Sequence, residues 1–336
     1  MKPYVALLLT IALNACGGGA SAGSVGAPPS GPLIVTPTAT PTAPTGSVPI
    51  VSGCQIFPSD NPWNTDISNY PLDPNSAIYI NTILNDGSGQ TNLHPDFGQD
   101  PTYGIPFVIV PQNQPTVPVT FTYADQSDPG PYPIPPNVPI EGGPSASGDR
   151  HVLVLQQGTC SLYEMWDSQP VGGGTSWTAG SGALFNLNSN ALRRDGWTSA
   201  DAAGLPIFPA LVKCQEVAAG SIDHALRVSF QNSQSGFIHP ATHDAGTNNP
   251  YYPPMGLRLR LKSNYDISGF TGASKIILTA MKTYGMFVAD NGSDWYFQGE
   301  GTGNNPSSCW NDDDLNQLKS VPGSAFEVVE TGQILH

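Results

Sequence analysis

An all-β sandwich or jelly roll carrying a few short helices is the fold class that the sequence predicts. Three observations predict it. The 336 residues include 37 Gly and 34 Pro, which punctuate the chain with turns and leave little room for long helices. Ten short runs between those turns have strand character: 105–110, 117–123, 151–155, 160–166, 183–187, 225–230, 256–262, 285–289, 294–297 and 325–329. Helical patterning is confined to 75–84, 274–284 and 312–318, the last opened by Asn311 and three acids that suit a helix N-terminus. Helical bundles, coiled coils and doubly wound nucleotide-binding folds are thereby set aside.

In chain order, residues 1–15 read as a signal peptide. Lys2 precedes an apolar run over 5–13 that is too short to span a bilayer. The ending Leu13-Asn14-Ala15-Cys16 resembles the bacterial lipobox, which implies cleavage before Cys16 and acylation of its thiol. By the same resemblance, Gly17 implies the outer membrane or cell surface, with the bilayer touched through the lipid anchor only. Residues 16–53 then form a lipidated linker. It carries no charge and repeats Pro-Thr-Ala units, so it cannot bury a core and stays extended. Residues 54–336 follow as a single β-sandwich catalytic domain.

Charge and cysteine usage narrow the partners. Twelve Lys and Arg face 26 Asp and Glu, a formal charge of −14, which argues against nucleic acid. Residues 54–149 carry acids and no base, so a polyanionic substrate is repelled from this third. No organic cofactor is implied. Loop carboxylates there suit a structural calcium ion, beside the plainer reading of a solubilising acidic surface. Beyond Cys16 four cysteines remain, an even number in an exported chain, and the reading pairs Cys54 with Cys309 and Cys160 with Cys214. None forms a CxxC pair, so no metal site is expected among them.

The segment from Asp149 to Asp167 reads as a hairpin around Gln157-Gly158. That register sets His151 opposite Glu164 and Asp149 opposite Trp166, with facing Cβ atoms about 5 Å apart. A carboxylate beside an imidazole, flanked by an indole, is an acid/base site in outline. Glu164 is the expected nucleophile or general acid, and His151 sets its protonation. Asp167, Asp290 or Asp294 supplies the second carboxylate, and Trp166 a surface for sugar. His239 and His243 stand four apart, but Pro240 and the lack of an intervening Glu spoil the helical zinc motif, leaving a loop site of two His and a carboxylate, or loop contacts to substrate. His224 alternates with Leu226, Val228 and Phe230, a core pattern that also lets it join His151 across a sheet. Trp295, Tyr296 and Trp310 are candidate floors for a sugar, with Tyr284 nearby in sequence.

The strings Gly204-Leu-Pro-Ile-Phe-Pro209, Pro253-Pro-Met-Gly-Leu-Arg258 and Tyr284-Gly-Met-Phe-Val-Ala-Asp-Asn-Gly-Ser-Asp-Trp295 resemble a family of exported bacterial proteins of uncharacterised activity, over nearly all of 54–332. Tyr163-Glu164-Met165-Trp166 is similar to the Glu-bearing strand of concanavalin-like jelly-roll endoglucanases, which implies Glu164 as nucleophile. The functional expectation is a surface-tethered, endo-acting glycoside hydrolase on a neutral polysaccharide. Two alternatives stand beside it. One is a polysaccharide lyase with His151 or His239 as base and Tyr163 or Tyr284 as acid. The other is a non-catalytic glycan-binding or adhesion lipoprotein.

Overall fold

Dense turns cut the domain into strands of two to six residues, and the burial of their apolar faces decides how these assemble. The computed structural model describes residues 48–302 and 309–336. The expected signal peptide, Cys16 and most of the linker lie outside the described residues. The first half holds β1 (Ile50–Val51), β2 (Cys54–Gln55), α1 (Ser76–Leu84), β3 (His94–Pro95), β4 (Phe107–Val110) and β5 (Val119–Phe121). Then come β6 (Val152–Gln156), β7 (Ser161–Trp166), β8 (Gln169–Val171), β9 (Ser176–Ala179) and β10 (Ser181–Asn186). The remainder is α2 (Cys214–Ala219), β11 (Leu226–Phe230), β12 (Arg258–Leu261), α3 (Gly272–Thr283), β13 (Met286–Asn291), β14 (Tyr296–Phe297), α4 (Asp312–Asn316) and β15 (Phe326–Val329).

The fold is β-rich with few short helices. A strand lies within or across each of the ten runs that the patterning marks. The sheets are mixed, however. One is ordered β10-β7-β6-β4, a second β15-β12-β13-β11-β14-β3, and a third β5-β9-β8. Parallel ladders join β4 to β6, β11 to β13, β14 to β3 and β5 to β9, whereas a jelly roll is antiparallel. Parallel strands want cover on both faces. Accordingly β6 and β11 are buried along their whole length. Leu153 and Leu155 of β6 enter the main core, while Val152 and Val154 enter a smaller one around Tyr132 and Trp177. In β11 the same alternation sends Leu226, Val228 and Phe230 into the core and turns Arg227 and Ser229 to the other face, where they line a groove.

Two expectations are corrected. The β6–β7 hairpin pairs Gln156 with Ser161 and Leu153 with Glu164, so His151 does not oppose Glu164. The loop holds four residues, 157–160, because Gly158 and Cys160 both adopt left-handed φ, 76° and 51°. Cys160 belongs to the turn rather than the strand, and every facing pair moves by one residue on each side. The disulfides are Cys54–Cys160 and Cys214–Cys309, with Cα atoms 5.4 and 5.7 Å apart. All four cysteines are used as expected, in a different connectivity. The hairpin turn lies against β2, which brings Cys160 to Cys54 instead of to Cys214. Among the described residues no helix is long and apolar enough to cross a membrane.

Candidate functional site

Loop ends from several strands converge on a groove made of two adjoining cavities, of about 440 and 240 Å³. The larger is walled by Trp166, Tyr123, Asp201 and His243, the smaller by Asp96, Glu141, His151 and Arg227. Asp149, Asp290 and Asn291 line both, so they stand where the cavities meet.

The smaller cavity is built on a loop from Glu141 to His151 that closes on itself. The Glu141 N–H donates to the His151 carbonyl, and the His151 N–H donates to Glu141 Oε2 at 3.2 Å. Arg150, buried and with φ of 52°, clamps the loop by donating to the carbonyls of Pro144, Ala146 and Ser168. This leaves His151 Nδ1 2.6 Å from Glu141 Oε2 and Nε2 2.9 Å from the Ala200 carbonyl. A carbonyl only accepts, so Nε2 carries a proton, and the contact to the carboxylate calls for a second one. Burial opposes that charge, yet Glu141 takes the His151 ring up to about 9. Burial likewise pushes Glu141 up, but the imidazolium and its hydrogen bonds outweigh it and hold the carboxyl below its ordinary range. The result is a buried ion pair at the groove wall.

A second cation organises the other side. Arg227 donates from Nε and Nη2 to Asp201 Oδ2 at 3.1 and 2.7 Å, and from Nη1 to Gln298 at 2.7 Å. Asp290, the next-to-last residue of β13, lies 3.6 Å from the same guanidinium. Burial, followed by the neighbouring Asp201 carboxylate, takes Asp290 up to about 7, with Arg227 opposing. Asp96 is raised by burial and by Glu141. One groove thus holds an ionised carboxylate and a carboxyl that keeps its proton near neutrality, the division of labour that acid/base chemistry requires.

Glu141, Asp149 and His151 bring ligand-capable atoms within 4.8 Å of one another. Both imidazole nitrogens are engaged, so in this geometry the ring offers no lone pair to a metal. Asp149 accepts from the Trp166 indole at 3.1 Å, which fixes the ring beside the acid. Trp166 also stacks with Tyr123 at 6.4 Å between centroids and packs on Gly180, where a Cβ would come 2.2 Å from the indole.

Among the residues that the sequence marks, His151, Asp290, Trp166, His243 and Tyr296 meet in this groove. Glu164 does not line it. Fully buried, it accepts from the N–H groups of Ile207 and Phe208 at 2.8–3.1 Å, closing the 3₁₀ turn of the Gly204–Pro209 string. Burial takes its carboxyl up to about 7 against those hydrogen bonds. Asp167 is exposed at the end of β7, outside the lining of either cavity. Asp294 is buried against Ser88 and the Gln231 N–H. His224 is a core residue bonded to Glu216 and the Ala225 carbonyl, and His239 pairs with Asp195 at the surface. Trp295 sits in the core between Phe230 and Phe326, and Tyr284 is buried beyond α3. Sequence reasoning missed Glu141, Asp201, Arg227 and Asp96 as site residues. Their partners lie 10 to 71 residues away, and only the isolated Glu141 amid aspartates carried a local signal. Comparison with family models, curated proteins and solved structures returns no match.

Proposed function

We propose that the groove hydrolyses glycosidic bonds of a non-anionic polysaccharide. The observation that carries this reading is the opposed pair of carboxyls: Glu141 is held ionised by His151, and Asp290 is pushed up to about 7. Asp290 donates its proton to the leaving oxygen as general acid. Glu141 attacks the anomeric carbon or activates water, its orientation fixed by the 2.6 Å contact to His151. Trp166 and Tyr123 offer flat apolar faces on which a pyranose ring stacks. This keeps the expected chemistry while moving the nucleophile from Glu164 to Glu141 and the role of His151 from protonation control to charge pairing.

The lyase alternative has less support. His151 has no free nitrogen, Arg150, Arg258 and Arg260 are engaged by backbone carbonyls or Glu327, and Arg227, the arginine of the groove, is held by Asp201 and Gln298. The lipobox-like sequence supports tethering of the enzyme at a cell surface, and Cys16→Ser is expected to move the chain from a detergent phase into the aqueous one. The activity test is reducing-end release by the full chain from β-glucan, xylan, mannan and chitin. Cleavage of at least one is expected, with Glu141→Gln and Asp290→Asn each slower by at least ~100-fold. A folded Glu141→Gln chain with undiminished turnover would overturn the assignment. Binding of glycans left intact after long incubation would favour the non-catalytic lipoprotein.

A further inference from the structure

The larger cavity differs from a general sugar site in the sense of its hydrogen bonding. Several of its side-chain donors are turned into the protein. Trp166 Nε1 donates to Asp149, Ser181 Oγ to the Ser199 carbonyl at 2.6 Å, and Thr198 Oγ1 to the Asp201 carbonyl at 3.1 Å. Asn291 Nδ2 donates to the Ala245 carbonyl at 2.9 Å, which leaves its Oδ1 for a ligand. His243 Nδ1 lies 2.8 Å from the Ala202 carbonyl, an acceptor, so Nδ1 carries a proton that is turned into the protein. The same wall carries Asp149, Asp201 and Asp290 and no Lys or Arg. Asp201 and Asp290 share Arg227, at 2.7 and 3.6 Å, whereas the hydrogen-bond partner of Asp149 is the neutral indole.

An acceptor-rich pocket with unbalanced negative charge, floored by an indole, fits a ligand that donates, carries positive charge and has a flat apolar face. An ammonium has three donors and no acceptor. An acetamide brings a carbonyl into a wall of acceptors, and a uronate brings a repelled carboxylate. We propose that this cavity receives a sugar with a free protonated amine, a hexosamine unit of a polysaccharide, its ring on Trp166 and its ammonium on the Asp149 carboxylate. The inference rests on the hydrolase reading of the groove and names the substrate class.

The test is titration calorimetry of the full chain in mildly acidic buffer with three hexamers: glucosamine, N-acetylglucosamine and cellohexaose. The glucosamine hexamer is expected to bind at least about tenfold tighter than cellohexaose, with the advantage lost at high salt. Asp149→Asn keeps an acceptor for the indole and should remove most of that advantage, read as the ratio of the two affinities. Equal or tighter binding of either uncharged hexamer, an unchanged preference in folded Asp149→Asn, or no binding of any hexamer would overturn the inference. Selective binding of the glucosamine hexamer without cleavage would instead sink the hydrolase reading alone. Cleavage of a neutral glycan with no preference for the amine would sink the inference alone.

Discussion

His151 shows how a single contact reverses the effect of burial. Burial disfavours a charged imidazole, yet the Glu141 carboxylate at 2.6 Å takes it up to about 9. The folded ring therefore keeps its proton at pH values where the unfolded chain, near 6.5, has released it. The sign follows from linkage. This stabilisation is fully present below about 6.5 and is lost as pH rises through 9. Melting temperature should thus fall between these limits in the wild type, and His151→Asn should flatten that slope in thermal scans. An identical slope in both chains would contradict the ion pair. The imidazole and indole of this site were legible in the sequence because they stand at the open end of one hairpin, His151 before β6 and Trp166 at the end of β7. Their true partners were not, because Glu141 reaches His151 through a loop closure and Arg227 reaches Asp201 across 26 residues. Neither relation has a periodic trace.

Elements were easier to read than their pairing. Alternation marked β11 and placed its apolar face in the core, and acids after Asn311 marked α4, where Asn311 accepts from the N–H groups of Asp313 and Asp314. Helix α2 escaped notice because six residues are too few to show a period; it ends where Gly220 turns left-handed with φ of 87°. The β6–β7 register was misread because loop length, not strand pattern, sets it, and a shift of one residue on each strand keeps the same faces buried. Side-chain position at this scale is testable through Gly180, which joins β9 to β10 and lies under Trp166. A Cβ there would meet the indole at 2.2 Å, so the ring must swing away from Asp149. Gly180→Ala should weaken glycan binding roughly tenfold, within the range of one lost aromatic contact, with far-ultraviolet dichroism unchanged. Wild-type affinity in this variant would show that the indole does not carry the sugar.

Across the whole molecule, the acid-only stretch 54–149 folds against the part of the chain that holds the bases. Asp128 meets Arg193, and Asp96, Glu141 and Asp149 face Arg227 and His151 around one cavity. The charge asymmetry seen in the sequence is therefore more than a solubilising surface: it meets cations at the groove and leaves a surplus of acid there. The disulfides, closing separations of 106 and 95 residues, hold distant parts of this arrangement together. The central claim is that Asp290 supplies the proton and Glu141 works ionised. It is tested most directly by the pH dependence of kcat/KM on a cleaved glycan, for wild type and Asp290→Asn. The account predicts a wild-type rate that declines as pH rises through about 7, where Asp290 loses its proton, and a much slower variant without that decline. A wild-type rate still rising above that pH, or a folded Asp290→Asn chain with the wild-type profile, would contradict it.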